Sequence, residues 1–370
     1  MRKRIAAVVQ IQNEADIIES LCRYYCSFCD GILVTDNMSS DNTRNILNSL
    51  IEEGLPVVVT NDYNTNIIHD YSGQYLWAID VFNADILLPI DADEFLVNVN
   101  GGNPRSVLES LDETVEYHIQ CRNYTCPKEL KDNTLFYPSN ITKYSRFSNN
   151  KTIISQCLIK EKDAKPAPGK HSFMYPENPP DIVNMKKLCY NHYPIRNVYQ
   201  FMLKAILGRV HYLVHPYYDG SIHIAEGWHW KAFYDEIKKH GTISHEMLEK
   251  YSAYTGISLP EDGDYKLFEH SFDTSFCHDE LKLRYTNYGA GKECFFQMLT
   301  TQLERNLLHI PSWRPAIERI EAGEQLGQAN ATIHNLNAYI DSLHTNGPHA
   351  SFLRFFLYPM KRFLKKIFNM

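Results

Sequence analysis

The apolar run Ile86-Leu87-Leu88-Pro89-Ile90 passes directly into Asp91-Ala92-Asp93-Glu94, and this junction limits the folds open to the chain. A short apolar run bounded by polar residues reads as a buried strand, here delivering acids at its end. Pro89 lacks a backbone N–H and argues against a central paired position late in that strand. Asp91 and Asp93 occupy alternate positions, so in an extended chain both side chains leave the same face. Carboxylates held that close repel each other, and a divalent cation relieves the repulsion. Mg²⁺ or Mn²⁺, held by one or two carboxylates plus substrate phosphates, fits this pattern. The competing reading is a solvated acidic turn.

The residues before this junction alternate between strand and helix. Arg4 to Gln10 reads as a strand, followed by helical spacing of Ile17, Ile18, Leu21, Cys22 and Tyr25. Ile32 to Thr35 is a second strand, ending in the polar turn Asp36 to Thr43 before a helix that reaches Leu50. Gly54 ends that helix, Val57 to Thr60 forms a third strand, and a helix from about His69 to Phe82 leads into the acidic junction. This order specifies an α/β fold with a mostly parallel sheet flanked by helices. In such sheets ligands bind outside the carboxyl ends of the strands.

Beyond Glu94 the pattern changes. Val115 to Cys121 and Ile153 to Ile159 read as strands, and the proline-rich stretch from Lys165 to Pro180 as a long loop that could act as a lid. Helices are expected over Arg196 to Arg209, Trp230 to His240, Leu281 to Tyr288 and Glu293 to Leu308. The length of 370 residues suggests more than one domain. The divisions expected are 1–210 for the sheet domain, 211–312 for an aromatic and histidine-rich, mainly helical region, 313–346 for a long helix, and 347–370 for a basic tail. Leu326, Ile333 and Ile340 share heptad spacing with Ala329, Leu336 and Leu343, so 322–343 is a candidate for a short coiled coil and a homo-oligomer, or for a helix packed on its own chain.

A net charge of −7 argues against a nucleic-acid partner. Met1 to Arg4 followed by Ile5 to Val9 imitates the start of a signal peptide, but the apolar run stops at Gln10, so it is read as the first strand. The 9 cysteines read as reduced thiols of a cytoplasmic protein. Within 352–368, Phe356, Met360, Phe363, Leu364 and Ile367 line one helical face and Lys361, Arg362, Lys365 and Lys366 the other. This pattern fits an anchor on an anionic membrane surface, such as the inner face of the plasma membrane, or a helix docked on the catalytic domain.

Gln12-Asn13-Glu14, Asp36 to Thr43, Asp91 to Phe95 and Asn191-His192-Tyr193-Pro194-Ile195-Arg196 occur in this order. Together they resemble the family 2-like bacterial glycosyltransferases of the GT-A fold, over about residues 4–210. The resemblance implies a nucleotide-sugar donor, UDP-linked, a glycan or lipid-linked acceptor, and inversion at the sugar carbon. It implies donor contacts from Gln12, Asn13, Asp36, Asn37, Gln74, Asp91 and Arg196, and a metal held by Asp91, Asp93 and His192. Arg196 and Lys204 are cationic candidates for phosphate. An inverting reaction needs a carboxylate to accept the acceptor's proton. Glu94 is the nearest candidate, with Glu177 and Asp181 as rivals and His171 as another residue that could face the site; Glu94 could instead support the metal ligands. A nucleotidyltransferase would carry glycine between Gln10 and Asp16, and none is there. A phosphatase of the Asp-x-Asp type would carry Ser or Thr where Phe95 stands. A non-catalytic glycan-binding protein on the same fold is the alternative from another class.

Overall fold

The computed structural model describes residues 2–61, 72–125, 138–167, 171–214, 228–253, 267–277, 281–286, 295 and 298–301. The helix expected over 313–346 and the basic tail of 352–368 lie outside the described residues, as do residues 215–227.

The first part of the chain alternates as its sequence dictates: β1 (Ile5–Ile11), α1 (Ile18–Cys26), β2 (Gly31–Asp36), α2 (Thr43–Glu52), β3 (Val57–Asn61), α3 (Ser72–Phe82) and β4 (Ile86–Asp91). Their strands run parallel in the order β3-β2-β1-β4. β1 is buried on both faces: Ala7, Val9 and Ile11 join the core beneath α1 and α2, while Ala6 and Val8 pack with α3. Because β1 and β2 are flanked on both sides by parallel strands, the carboxyl ends of β1, β2 and β4 gather at one edge of the sheet.

The remainder comprises β5 (Glu94–Asn98), α4 (Arg105–Glu109), β6 (Glu116–Tyr124), β7 (Lys143–Ser155), α5 (Gln156–Glu161), β8 (Lys165–Pro166), β9 (Phe173–Met174), β10 (Ile182–His192), α6 (Val198–Val214), α7 (Trp228–His240), α8 (His245–Ala253) and β11 (Leu267–Glu269). β7 lies beside β4, antiparallel to it, and the sheet continues through β6 and β10 to β5. The result is a mixed α/β fold with helices on the sheet, as expected. Helices α6, α7 and α8 build their own core around Phe201, Phe233 and Leu248.

β4 is central, against the expectation from Pro89. Its pairs with β7 are Ile86↔Ser155 and Leu87↔Ile154, so the strands part before the proline and its missing N–H costs no ladder bond there. The strand expected over Ile153 to Ile159 instead begins at Lys143 and stops at Ser155. The Ser155 side chain caps α5, accepting from the Leu158 N–H at 3.2 Å. The expected helix from Leu281 is absent over the described residues 281–286. The amides of Arg284, Tyr285 and Thr286 donate to the buried Glu19 carboxylate at 2.7, 3.0 and 2.7 Å, rather than to carbonyls of their own segment. These bonds bring Glu19 below the usual glutamate range although burial alone would raise it.

The lid expected over Lys165 to Pro180 is also displaced. β8 and β9 form a hairpin, and the Phe173 N–H and Tyr175 hydroxyl bind the Glu116 carboxylate at the start of β6. That start is the end of the sheet remote from Asp91.

β5 ends the sheet, and its outer edge is closed by α1. The Tyr24 hydroxyl donates to the Leu96 carbonyl at 2.7 Å, and the Tyr25 hydroxyl accepts from the Leu96 N–H at 3.0 Å while donating to the Glu94 carbonyl at 2.9 Å. Covering an edge in this way blocks pairing with another strand. Replacing Tyr25 with Phe orphans the Leu96 N–H. The expected loss is about 1–3 kcal/mol, measured as a lower urea midpoint with an unchanged m-value.

Candidate active site

The loops after β1 and β2 are laced together. Asn13 adopts φ 58°, a left-handed conformation that asparagine tolerates. Its N–H donates to Ser39 Oγ at 2.9 Å, and its Oδ1 accepts from the Ser40 N–H at 2.7 Å. Gln12 Nε2 donates to the Asn37 carbonyl at 2.8 Å, and the Ala15 N–H donates to Asp41 Oδ2 at 3.0 Å. Asp36 is buried at the end of β2, its Oδ1 accepting from the Ser39 N–H at 3.0 Å with Arg44 3.9 Å from Oδ2. Gln12, Asn13, Asp36 and Asn37 therefore share one polar shelf. Gln74 stands apart from this network, half-buried in the first turn of α3, whose apolar side chains pack on the opposite face of the sheet from α1 and α2.

At the end of β4 the acids separate into different environments. Asp93 is 3% exposed. Its Oδ2 accepts from Lys204 Nζ at 3.1 Å, and its Oδ1 lies 3.5 Å from His192 Nε2. Burial would raise the Asp93 carboxyl, but Lys204 and His192 hold it well below the usual range. His192 Nδ1 lies 2.7 Å from Asn123 Oδ1, an acceptor, so Nδ1 carries a proton and Nε2 is the ring nitrogen turned towards Asp93.

Asp91 is partly exposed and faces Lys151, whose Nζ lies 2.5 Å from Asp91 Oδ2 and 3.1 Å from Glu94 Oε1. Glu94 corrects the sequence expectation. It is 2% exposed, and its Oε2 accepts from the Asp91 N–H at 3.0 Å. Burial pushes its carboxyl up, against the pull of Lys151. A carboxylate so enclosed supports the Asp91 turn. Glu177 and Asp181 lie beyond the other end of β10. Its ends, Ile182 and His192, pair with Glu116 and Asn123 of β6, which at about 3.3 Å per residue puts them roughly 23 Å apart. His171 belongs to the same remote hairpin region.

Arg196 is also corrected. Its guanidinium is 1% exposed and grips Asp16 through Nε at 2.6 Å and Nη2 at 2.9 Å, and Glu14 through Nη2 at 2.5 Å. It fastens the segment after β10 to the loop after β1 and is enclosed away from a phosphate. Lys204, with its side chain 38% exposed, is the cation left at the surface of the site. A cavity of about 250 Å³ lies between the β1 loop and α6, its wall including Gln12, Asn13, Glu14, Gln200, Lys204 and Trp230. Gly208 permits this arrangement, since a Cβ there would stand 2.8 Å from Trp230 Cδ2. Asp36, Asp91 and Asp93 lie outside the cavity lining; Lys204 is the residue that joins it to Asp93.

The sequence reading missed Lys151, Asp16 and Asn123. Each gains its role from strand pairing or a distant loop. Among the described residues no set of three or more His, Cys, Asp or Glu side chains converges as a metal cage. The described cysteines are free thiols. The donor pair Asp93 and His192 nevertheless suits a divalent ion that completes its shell with phosphate oxygens. Carboxylate and imidazole both bind Mn²⁺, and a histidine ligand with its second nitrogen fixed by an acceptor is the usual supporting arrangement.

The chain is thus an α/β protein whose parallel half-sheet opens on an edge of amides, buried acids and matched cations. No protein-family model matches it, and no curated protein matches it. Solved structures with a similar fold include S. aureus TarS 1–349, at 13% identity over 55% of this chain and 64% of that one, with a TM-score of 0.32. Another is the mannosyltransferase PcManGT from Pyrobaculum calidifontis in complex with GDP-Man and Mn²⁺, at 15% identity over 58% of this chain and 64% of that one, with a TM-score of 0.32. A third is GalNAc-T7 with UDP, GalNAc and Mn²⁺, at 12% identity over 66% and 56% respectively, with a TM-score of 0.33. The alignments span less than two thirds of the length of each of these neighbours.

Burial pushes Glu14 up to about 7, with Asp16 and Asp93 adding to the rise and Arg196 and Lys204 opposing it. Its folded value lies above the 4.5 of a free glutamate. The folded chain therefore holds this proton more tightly, and its stability falls as pH rises between those values. Glu14→Gln is expected to flatten that fall, read from urea midpoints across the window.

Proposed function

We propose that this chain is a metal-dependent glycosyltransferase that moves a sugar from a nucleotide-sugar donor, UDP-linked, to a glycan or lipid-linked acceptor. The observation that carries this reading is the meeting of Asp93, His192 and Lys204 at the carboxyl edge of parallel strands, beside the shelf built from Gln12 to Glu14 and Asp36 to Thr43. In this reading Asp36 and Asn37 face the base and ribose, and Gln12 and Asn13 fix the loop against them. Asp93 and His192 would hold Mn²⁺ or Mg²⁺, which would supply Lewis-acid neutralisation of the departing diphosphate. Lys204 leaves Asp93 for a phosphate oxygen as donor enters, a short movement for a half-exposed ammonium. The closed packing around Tyr193 and Phe95 keeps the acid-bearing turn rigid, so its charges need little rearrangement as the sugar bond breaks.

The proposal extends to placement in the cell. Among the described residues no helix is long and apolar enough to cross a membrane. We assign the protein to the cytoplasm, resting on the inner face of the plasma membrane through 352–368, with 322–343 as a surface for self-association. Deleting 351–370 is expected to abolish sedimentation with anionic vesicles, and retained sedimentation would exclude that anchor.

Asp93→Asn tests the catalytic reading. In the wild type a UDP-sugar at 100 times its Kd should stabilise the fold by about 2.7 kcal/mol, and only with Mn²⁺ present. The variant should lose this thermal shift, and transfer should drop by about a hundredfold or more. Unchanged Mn²⁺-dependent binding and transfer would refute the assignment.

A further inference from the structure

The part of the sheet built by β6, β7 and β10 carries a second cavity, and an irregularity in strand pairing opens it. β10 pairs with β6 from Ile182↔Glu116 to Met185↔Ile119, and again from Tyr190↔Cys121 to His192↔Asn123. Lys186 to Cys189 therefore stand opposite Gln120 alone, a bulge that parts the two strands. A cavity of about 660 Å³ lies there, a size that suits a small-molecule ligand. Arg122 precedes Asn123, the partner of His192, so alternation along β6 turns it to the opposite face of the sheet from His192. Among the described residues the cavity wall includes Arg122 and Lys186 and neither Asp nor Glu. That bias runs against the chain's net charge of −7. The Arg122 guanidinium carbon lies 5.4 Å from the Tyr144 ring centroid, a contact that fixes its plane. The Tyr144 ring is held in turn by Tyr124 and Phe268. Arg122 Nη1 is buried and has no hydrogen-bond partner among the described residues. An orphaned guanidinium donor beside a cavity calls for an anionic acceptor. Gln120 and Asn184, both exposed, add amide donors and acceptors to the wall.

We propose that this cavity binds an acidic saccharide, its carboxylate or phosphate ester held by Arg122 and Lys186 and its hydroxyls by Gln120 and Asn184. A guanidinium offers two parallel N–H donors to either anion. The cavity is far larger than the anion alone, and amides suit hydroxyls, which both donate and accept. The site shares no lining residue with the cavity beside Lys204. It goes beyond the glycosyltransferase reading and requires neither its metal nor its donor.

The test is isothermal titration of the full chain, without Mn²⁺ or sugar nucleotide, using glucuronate, glucose 6-phosphate, glucose and inorganic phosphate. At least one of the two acidic sugars should bind about tenfold or more tighter than glucose and than inorganic phosphate. Which of them binds identifies the acid group. Arg122→Gln should weaken that binding by about tenfold or more, and Arg122→Lys, which keeps the charge but not the fork, should recover only part of it. Lys186→Gln should weaken it by about threefold, since an exposed ammonium is screened by salt. Asn184→Trp, at an exposed position, should fill the cavity mouth and abolish binding without lowering the melting temperature. That variant decides alone should Arg122→Gln fail to fold. Asp93→Asn should bind the acidic sugar as the wild type does, which separates this site from the one beneath Lys204. The proposal is overturned if glucose or inorganic phosphate binds as tightly as the acidic sugars, if none of the four binds, or if neither Arg122→Gln nor Asn184→Trp weakens binding. None of these outcomes bears on transfer at Asp93.

Discussion

The buried Arg196 guanidinium joins parts of the chain that no local structure would bring together. It holds Asp16 and Glu14, 180 and 182 residues earlier, in the loop after β1. The segment it anchors continues into α6, which carries Lys204, and follows directly from His192. Both groups stand on Asp93 because this segment is tied to the carboxyl edge of the parallel strands. A fully buried ion pair is weak grounds for net stability, since desolvation offsets much of its attraction. What it supplies here is register: a planar, forked cation accepts few alternative placements of the carboxylates around it.

The same economy of charge recurs around the site. Asp16 and Glu14 face Arg196, Asp93 faces Lys204 and His192, and Asp91 with Glu94 faces Lys151. The chain carries a net charge of −7, yet the acids of this edge are matched by basic groups drawn from β7, the end of β10, the segment after it and α6. An anion approaching this edge therefore meets acids whose field is locally compensated. Lys204 is the most exposed of those cations and the one able to exchange its partner.

The parallel half of the fold was legible because it rests on local signals: apolar runs of strand length, helical spacing, and capping residues between them. The edge position of Asp36, Asp91 and Gln12 followed from that order alone. Lys151 left no comparable mark. It is a single lysine ahead of a short apolar run, and only the antiparallel return of β7 beside β4 sets it against Asp91. Glu19 was similarly silent: an acid in the first turn of α1 reads as a favourable end charge, whereas it binds the amides of residues 284–286 and prevents the helix expected there. Pro89 misled because β4 pairs at that residue on one side alone, with Val8 of β1, having already parted from β7. Arg196 and Glu94 were noticed as charged groups near the motif, but burial, which sequence does not display, decided what each one does.

The connectivity of the sheet also orders its assembly in time. β1 to β4 draw on consecutive chain and can associate early, whereas Asp91 waits for a lysine 60 residues on, Asp16 for an arginine 180 residues on, and Glu19 for amides up to 267 residues on. Closing loops of that length is entropically slow relative to local contacts. Until those later segments arrive, the carboxylates at the rim of the half-sheet stand without their cations.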